Sequence, residues 1–224
     1  MAKRSANTER TLELFREVEA LLEEKGIPAP GIQTLGIEGD PLRVLISTIL
    51  SLRTRDPVME AASLRLFNRA PDLGSIDLLS EEELGGIIYP VGFYRTKART
   101  IKQVVKIVQE KWNGTVPSDL DSLLSLPGVG LKTATLVLGA GYGMEIITVD
   151  THVHRIANRW GIAKTKTPDE TYWHLDRILP PSGKRRVNPI LVSFGQTICL
   201  PVSPKCSECT LEGHCPRIGV THRR

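Results

Sequence analysis

Leu126-Pro127-Gly128-Val129-Gly130-Leu131-Lys132-Thr133-Ala134 is a tight, glycine-rich break between two apolar helical patterns. Ser118 to Leu126 reads as a short helix with Ser118 as its cap, and Leu131 to Leu138 as a second. Between them Gly128 and Gly130 flank the single apolar residue Val129. Such a turn lets the backbone take positive φ and point successive N–H groups outward, while the following helix adds the positive end of its dipole. Phosphate oxygens fit that geometry, and contacts of this kind hold a nucleic acid in register without reading its sequence. The alternative is an ordinary αα-hairpin closed by glycine.

Lys132 sits in the first turn of the second helix, where the dipole disfavours a cation. A lysine present only for helix stability belongs at the other end. An ordinary lysine is neutral in only about one molecule per thousand near pH 7.5, so a nucleophilic amine needs its pKa lowered, and a helix N-terminus pushes that way. A neutral lysine attacks an electrophilic sugar carbon and forms a Schiff base. The plainer reading is a solvent-facing lysine touching a phosphate.

Outward from the hairpin the pattern stays helical. Leu12, Phe15, Val18, Leu21 and Leu22 share one face of a helix from about Thr8 to Lys25, stopped by Gly26 and Pro28. Asp40-Pro41 reads as a cap with proline at the first helical position, opening an apolar helix through Leu50. Ser80 with Glu83 and Thr167 with Glu170 have the capping-box spacing. Ile101, Val104, Val105, Val108 and Trp112 repeat at helical spacing until Asn113-Gly114. Roughly ten helices are expected, with few signs of strands.

Val149-Asp150-Thr151-His152 leads an apolar stretch into another helix, with Asp150 or Thr151 as its cap. A carboxylate at a helix N-terminus is held ionised, where it can stabilise a developing positive charge or activate a nucleophile. Capping alone is the plainer reading, and the two are compatible. His152 and His154 are two apart and do not share a helix face, which argues against a metal site built on that pair.

All four cysteines fall near the end, as Cys199, Cys206, Cys209 and Cys215, a C-x6-C-x2-C-x5-C spacing with none left over. In a reducing compartment such a group reads as a metal site rather than as disulfides. Four thiolates suit zinc or an iron-sulfur cluster. A zinc ribbon usually brings two C-x2-C knuckles; here there is one, which puts the cluster ahead. His214, beside Cys215, is a weaker candidate ligand.

The 224 residues suit one large domain or two small ones. Hydrophobic residues make up 41% and charged residues 24%, which places the chain among globular proteins. Val44 to Leu52 is interrupted by Ser47, Thr48 and Ser51 and is far shorter than the ~18 residues of a membrane span. The first residues lack the apolar core of a signal peptide, so a cytoplasmic protein is expected. The net charge is +4, but residues 1–40 carry −3 and residues 41–224 carry +7, which places any anion-binding surface downstream.

The hairpin motif, then Val149-Asp150-Thr151-His152, then the cysteine spacing, in that order, resemble the endonuclease III family of the helix-hairpin-helix DNA glycosylase superfamily. The similarity runs from about Pro41 to Arg217. It implies an all-α, two-lobed fold: a six-helix barrel domain over 36–146, and a [4Fe-4S] cluster domain built from 1–35 and 147–224. DNA would bind in the cleft between the lobes.

By the same resemblance Lys132 is the catalytic lysine and Asp150 the catalytic aspartate. Cys199, Cys206, Cys209 and Cys215 hold the cluster, and Gly128, Val129 and Gly130 contact the DNA backbone. The implied activity is that of a bifunctional glycosylase and abasic-site lyase. It excises oxidised or ring-saturated pyrimidines through a lysine Schiff base, then cuts 3′ to the lesion by β-elimination. Duplex DNA with a damaged base or abasic site is the implied partner of a monomeric, nucleoid-associated enzyme.

Three positions depart from the family pattern. Arg53 stands where a glutamine usually fills the gap opposite the flipped base, Phe93 is at the wedge position, and Lys205 is the single basic residue between Cys199 and Cys206. A monofunctional mismatch-specific glycosylase is the alternative within the superfamily, and Lys132 counts against it. A non-catalytic iron-sulfur DNA-binding protein would leave Lys132 and Asp150 unexplained.

Overall fold

Asp40 accepts the Arg43 N–H at 3.0 Å and Pro41 takes the first helical position, which starts the helix that organises half of the molecule. The computed structural model describes residues 2–28 and 35–224, with side chains from residue 8 onward. Among these the chain is all helical, and it forms two units, Gly31–Met144 and Met1–Pro30 with Glu145–Arg224. No helix among the described residues is long and apolar enough to cross a membrane.

The Gly31–Met144 unit contains α2 (Pro41–Ser51), α3 (Asp56–Arg69), α4 (Leu73–Leu78), α5 (Glu81–Ile88), α6 (Tyr94–Trp112), α7 (Leu120–Leu124) and α8 (Leu131–Leu136). Every residue of α2 from Val44 to Leu50 is buried, Ser47 and Thr48 included, so this helix is covered around its whole circumference and takes the centre. It packs against α3, α6, α8 and a π-helical turn, Val137–Gly141, that continues α8. That turn comes closest to α2 at Gly141, where a Cβ would lie 2.8 Å from the Pro41 Cα.

Local signals set most boundaries. Ser80 and Glu83 form both halves of the expected capping box, and Asp72 with Ser75 forms a second. Asn113 ends α6 in the left-handed region, with φ 49°. The first hairpin helix differs from expectation: Asp119, not Ser118, is its cap, because the Asp119 carboxylate accepts the Ser122 N–H at 2.8 Å. The second is α-helical only to Leu136 and then widens into the π turn.

The other unit holds α1 (Ala2–Glu24), α9 (Thr151–Arg159), α10 (Pro168–Ile178), α11 (Lys184–Thr197) and a 3-10 turn, Cys206–Glu208. α11 packs on α9 and α1, and α10 on the same pair. The buried stripe of α1 is Leu14, Phe15, Val18, Leu21 and Leu22. Leu12, expected in it, is only half-buried, because the stripe centres on the 14, 18, 21 spacing. Phe15, Trp160 and Phe194 bring three segments together, with ring centroids 5.8 and 6.2 Å apart. Thr167 accepts the Glu170 N–H, but Glu170 reaches back to the Lys166 N–H instead of closing the box on Thr167.

Candidate active site and cysteine cavity

The turn before α8 makes a sharp change of direction at Gly128, whose φ is +74°; a Cβ there would lie 2.8 Å from the Thr100 methyl. Gly130, expected to share the positive φ, is extended at φ −100° and ψ −178°. Val129 is buried, and its N–H is already donated to the Leu126 carbonyl at 3.2 Å, so it does not point outward as the sequence suggested. Gly130 caps α8 without any side-chain acceptor. The first N–H groups of α8 thus have no capping side chain, the arrangement that leaves helix donors available to an anion. Lys132 stands in this turn, half-buried.

Asp150 belongs to the other unit. It is buried, and its Oδ1 accepts the N–H groups of both His152 and Val153 at 2.9 Å, which makes it the cap of α9. Both bonds fall on one oxygen, so Oδ2 is not committed to the cap. His152 and His154 diverge as their spacing requires: His154 Nδ1 lies 2.6 Å from the Thr171 hydroxyl, and His152 Nδ1 lies 3.2 Å from the Arg155 guanidinium.

The four cysteines are brought together by backbone bonding around one loop. Phe194 O accepts from both Ile198 and Cys199 at the end of α11, Ile198 O accepts from Lys205, Cys206 O from Cys209, and Leu211 O from Cys215. None is in a disulfide, and all four cysteines line a common cavity that Trp160, Phe194, Ile198 and Val220 also border. Burial pushes the Cys209 thiol up to about 11 and raises Cys215, with the neighbouring cysteines adding to both. His214 does not line the cavity, and its Nε2 lies 3.4 Å from Glu17.

The surroundings fit a group held by four thiolates. Arg159, buried, donates from Nη1 to Cys199 Sγ at 3.3 Å and to Leu200 O at 2.6 Å, and from Nη2 to Pro201 O at 2.8 Å. Arg155 donates to Gly195 O and Cys199 O, both at 2.9 Å. Two guanidinium groups thus face a cluster of potential anions, as charge balance for bound thiolates requires. Among the described residues no three His, Cys, Asp or Glu side chains form the tight group that would hold a single metal ion.

Two of the three departing positions meet at one surface. Arg53 and Phe93 are both exposed and both at positive φ, 53° and 57°, and the Arg53 guanidinium lies 5.7 Å from the Phe93 ring centroid. Lys205 is half-exposed, and its ammonium lies 3.8 Å from Glu208.

The model of the HhH-GPD superfamily of base excision DNA repair proteins matches residues 46–181, more than half of the chain. The chain belongs to the HhH-GPD superfamily. It is 47% identical over 178 residues to endonuclease III of Thermotoga maritima, covering 80% of this chain and 84% of that one. Endonuclease III-like protein 1 of Gallus gallus is 41% identical over 211 residues, 93% of this chain and 75% of that protein. A solved structure described as a trapped endonuclease III-DNA covalent intermediate superposes with a TM-score of 0.83 at 29% identity, covering 94% of this chain and 96% of that one. As an HhH-GPD protein with relatives of this kind, the chain is a DNA glycosylase of base excision repair. Its sequence had not drawn attention to Arg155 and Arg159. Their i, i+4 spacing on α9 puts both on one face, but their partners lie about 40 residues further along the chain.

Proposed function

We propose that this HhH-GPD protein is a bifunctional glycosylase and abasic-site lyase acting on oxidised or ring-saturated pyrimidines in duplex DNA. The observation that carries the reading is Lys132, placed in the uncapped first turn of α8 directly after the Gly128 turn. The amine attacks C1′ of an extruded nucleotide, the C1′–N bond to the base breaks, and the sugar ring opens to a Schiff base on Nζ. Loss of a C2′ proton then expels the 3′-phosphate by β-elimination. The solved relative described as a covalent intermediate with DNA supports this route, since a trapped protein–DNA bond requires a protein nucleophile.

Asp150 contributes a carboxylate that stabilises the sugar cation and takes the proton from the attacking amine, through the oxygen that capping leaves uncommitted. Gly128, Val129 and Gly130 shape the hairpin around a DNA phosphate, and Arg53 and Phe93 occupy the space left by the extruded nucleotide. Gly31–Met144 serves as the six-helix barrel domain and the other unit as the cluster domain. Cys199, Cys206, Cys209 and Cys215 hold a [4Fe-4S] cluster; a cavity bordered by all four thiols suits a multi-atom group better than one zinc ion. When bound, that cluster would cross-link the loop that carries Lys205. The enzyme works as a monomer, in the cytoplasm at the nucleoid.

Borohydride trapping on duplex DNA containing thymine glycol tests the reading. Wild type is expected to form a covalent complex and Lys132→Ala to form none. Release of the base by wild type without any trapped complex would instead assign a monofunctional glycosylase.

A further inference from the structure

Lys97 lies on the apolar stripe of α6, four residues before Ile101, and is only 6% exposed. Its ammonium donates to three acceptors, Leu50 O at 2.7 Å, Leu52 O at 2.5 Å and Thr54 Oγ1 at 2.9 Å. All three belong to the end of α2 and the turn that follows it. Burial without a carboxylate among these partners pushes the pKa down from 10.5 to about 8. Surface solubility does not account for a lysine held this way.

The turn that Lys97 grips carries Arg53. The same Thr54 Oγ1 accepts the Gly92 N–H at 3.2 Å, so it ties this turn to the loop before α6, which carries Phe93. The two backbones are in close contact: a Cβ on Gly92 would lie 2.6 Å from Arg53 O. Arg53 and Phe93, both at positive φ, therefore project from one strapped pair of loops. Left-handed backbone at non-glycine residues is strained and persists where surrounding contacts impose it. Here the strap supplies those contacts.

We propose that Lys97 is a positioning residue for base extrusion: its ammonium fixes the two loops so that Arg53 and Phe93 enter the duplex as one preassembled unit. This rests on the reading of Arg53 and Phe93 as the residues that fill the gap. Preassembly matters because unstacking a base is costly, and inserted groups that need no further ordering add nothing to that cost.

Two measurements separate the parts. In the free protein, the Arg53 Nε–H proton resonance should be displaced by the Phe93 ring, and Lys97→Met and Phe93→Leu should both abolish that displacement. In single-turnover assays, Lys97→Met should slow excision of thymine glycol from duplex at least tenfold. It should change β-elimination at a preformed abasic site less than threefold, since that site has no base to unstack. Thr54→Val, which removes the shared acceptor at a partly exposed position, should move both readouts the same way and serves if Lys97→Met fails to fold. An unchanged Arg53 resonance overturns the positioning role. Equal losses on lesion and abasic site would make Lys97 merely structural. If Arg53→Ala and Phe93→Ala leave excision unchanged while the resonance still depends on Lys97, the reading of those two residues as gap fillers has failed, and the assignment of Lys97 to extrusion falls with it.

Discussion

Under the proposed mechanism Asp150 serves two ends with two oxygens, and substitution can separate them. Its Oδ1 caps α9 through His152 and Val153, and asparagine keeps an acceptor at that atom. Asp150→Asn should therefore melt within a degree or two of wild type, whereas Asp150→Ala should lose about 1 kcal/mol of stability with the cap. In the proposed mechanism, turnover depends on the charge rather than on the cap. Both variants should lose roughly 100-fold or more in single-turnover excision, the range found when an electrostatic partner of a transition state is removed. Thermal melts alongside burst-phase kinetics check this; an asparagine variant with near-normal turnover would reduce Asp150 to a cap. The helix that Asp150 starts packs closely on α11: a Cβ on Gly195 would meet His152 Nδ1 at 2.6 Å and the Arg155 guanidinium at 2.8 Å.

Between elements, the π turn approaches the start of α2 tightly, backbone against backbone. Gly141→Ala would put a Cβ 2.8 Å from a backbone atom, the Pro41 Cα, which cannot swing aside as a side chain could. Overpacking of this kind costs about 1–3 kcal/mol, and the shift should be transmitted along the turn to α8 and Lys132. The expected outcome is a lower melting temperature together with weaker borohydride trapping; a variant as stable as wild type would mean that the turn yields freely. Elements of this unit were legible in the sequence where their causes are local. Asp40-Pro41 starts α2 and Ser80 with Glu83 starts α5 because each cap is satisfied within three residues. The widening at Val137–Gly141 was not legible, because it answers to α2, almost a hundred residues earlier. Lys97 left a trace in the spacing, four residues before Ile101 on the buried face of α6, but its acceptors lie more than 40 residues back. Of the candidate site, Lys132, Asp150 and the cysteines stood out because each belongs to a short motif. Arg159 did not, since its work is done on carbonyls of a distant loop.

Across the whole molecule, each unit has its own buried core, so damage to one need not spread evenly. In the unit made from the chain ends, Arg159 fastens Leu200 and Pro201, Ile198 receives Lys205, and the main chain of Arg224 exchanges bonds with Pro204 and Ser207. These bonds converge on the cysteine cavity. The proposed cluster would fill that space, and its thiolates would balance Arg159, which donates to Cys199 Sγ. Removal of iron by chelation should thus open the loop locally rather than unfold the protein, because regions with few buried contacts open at lower free energy than the cores. Hydrogen exchange followed as absorbance near 400 nm fades should show protection lost over residues 198–224. It should be retained over α2 and α6, whose apolar residues are buried in the other unit. Lysine trapping at Lys132 would then outlast the loss of iron when a preformed abasic site is supplied. Simultaneous loss of protection in α2 would instead show that the cysteine cavity stabilises the whole fold.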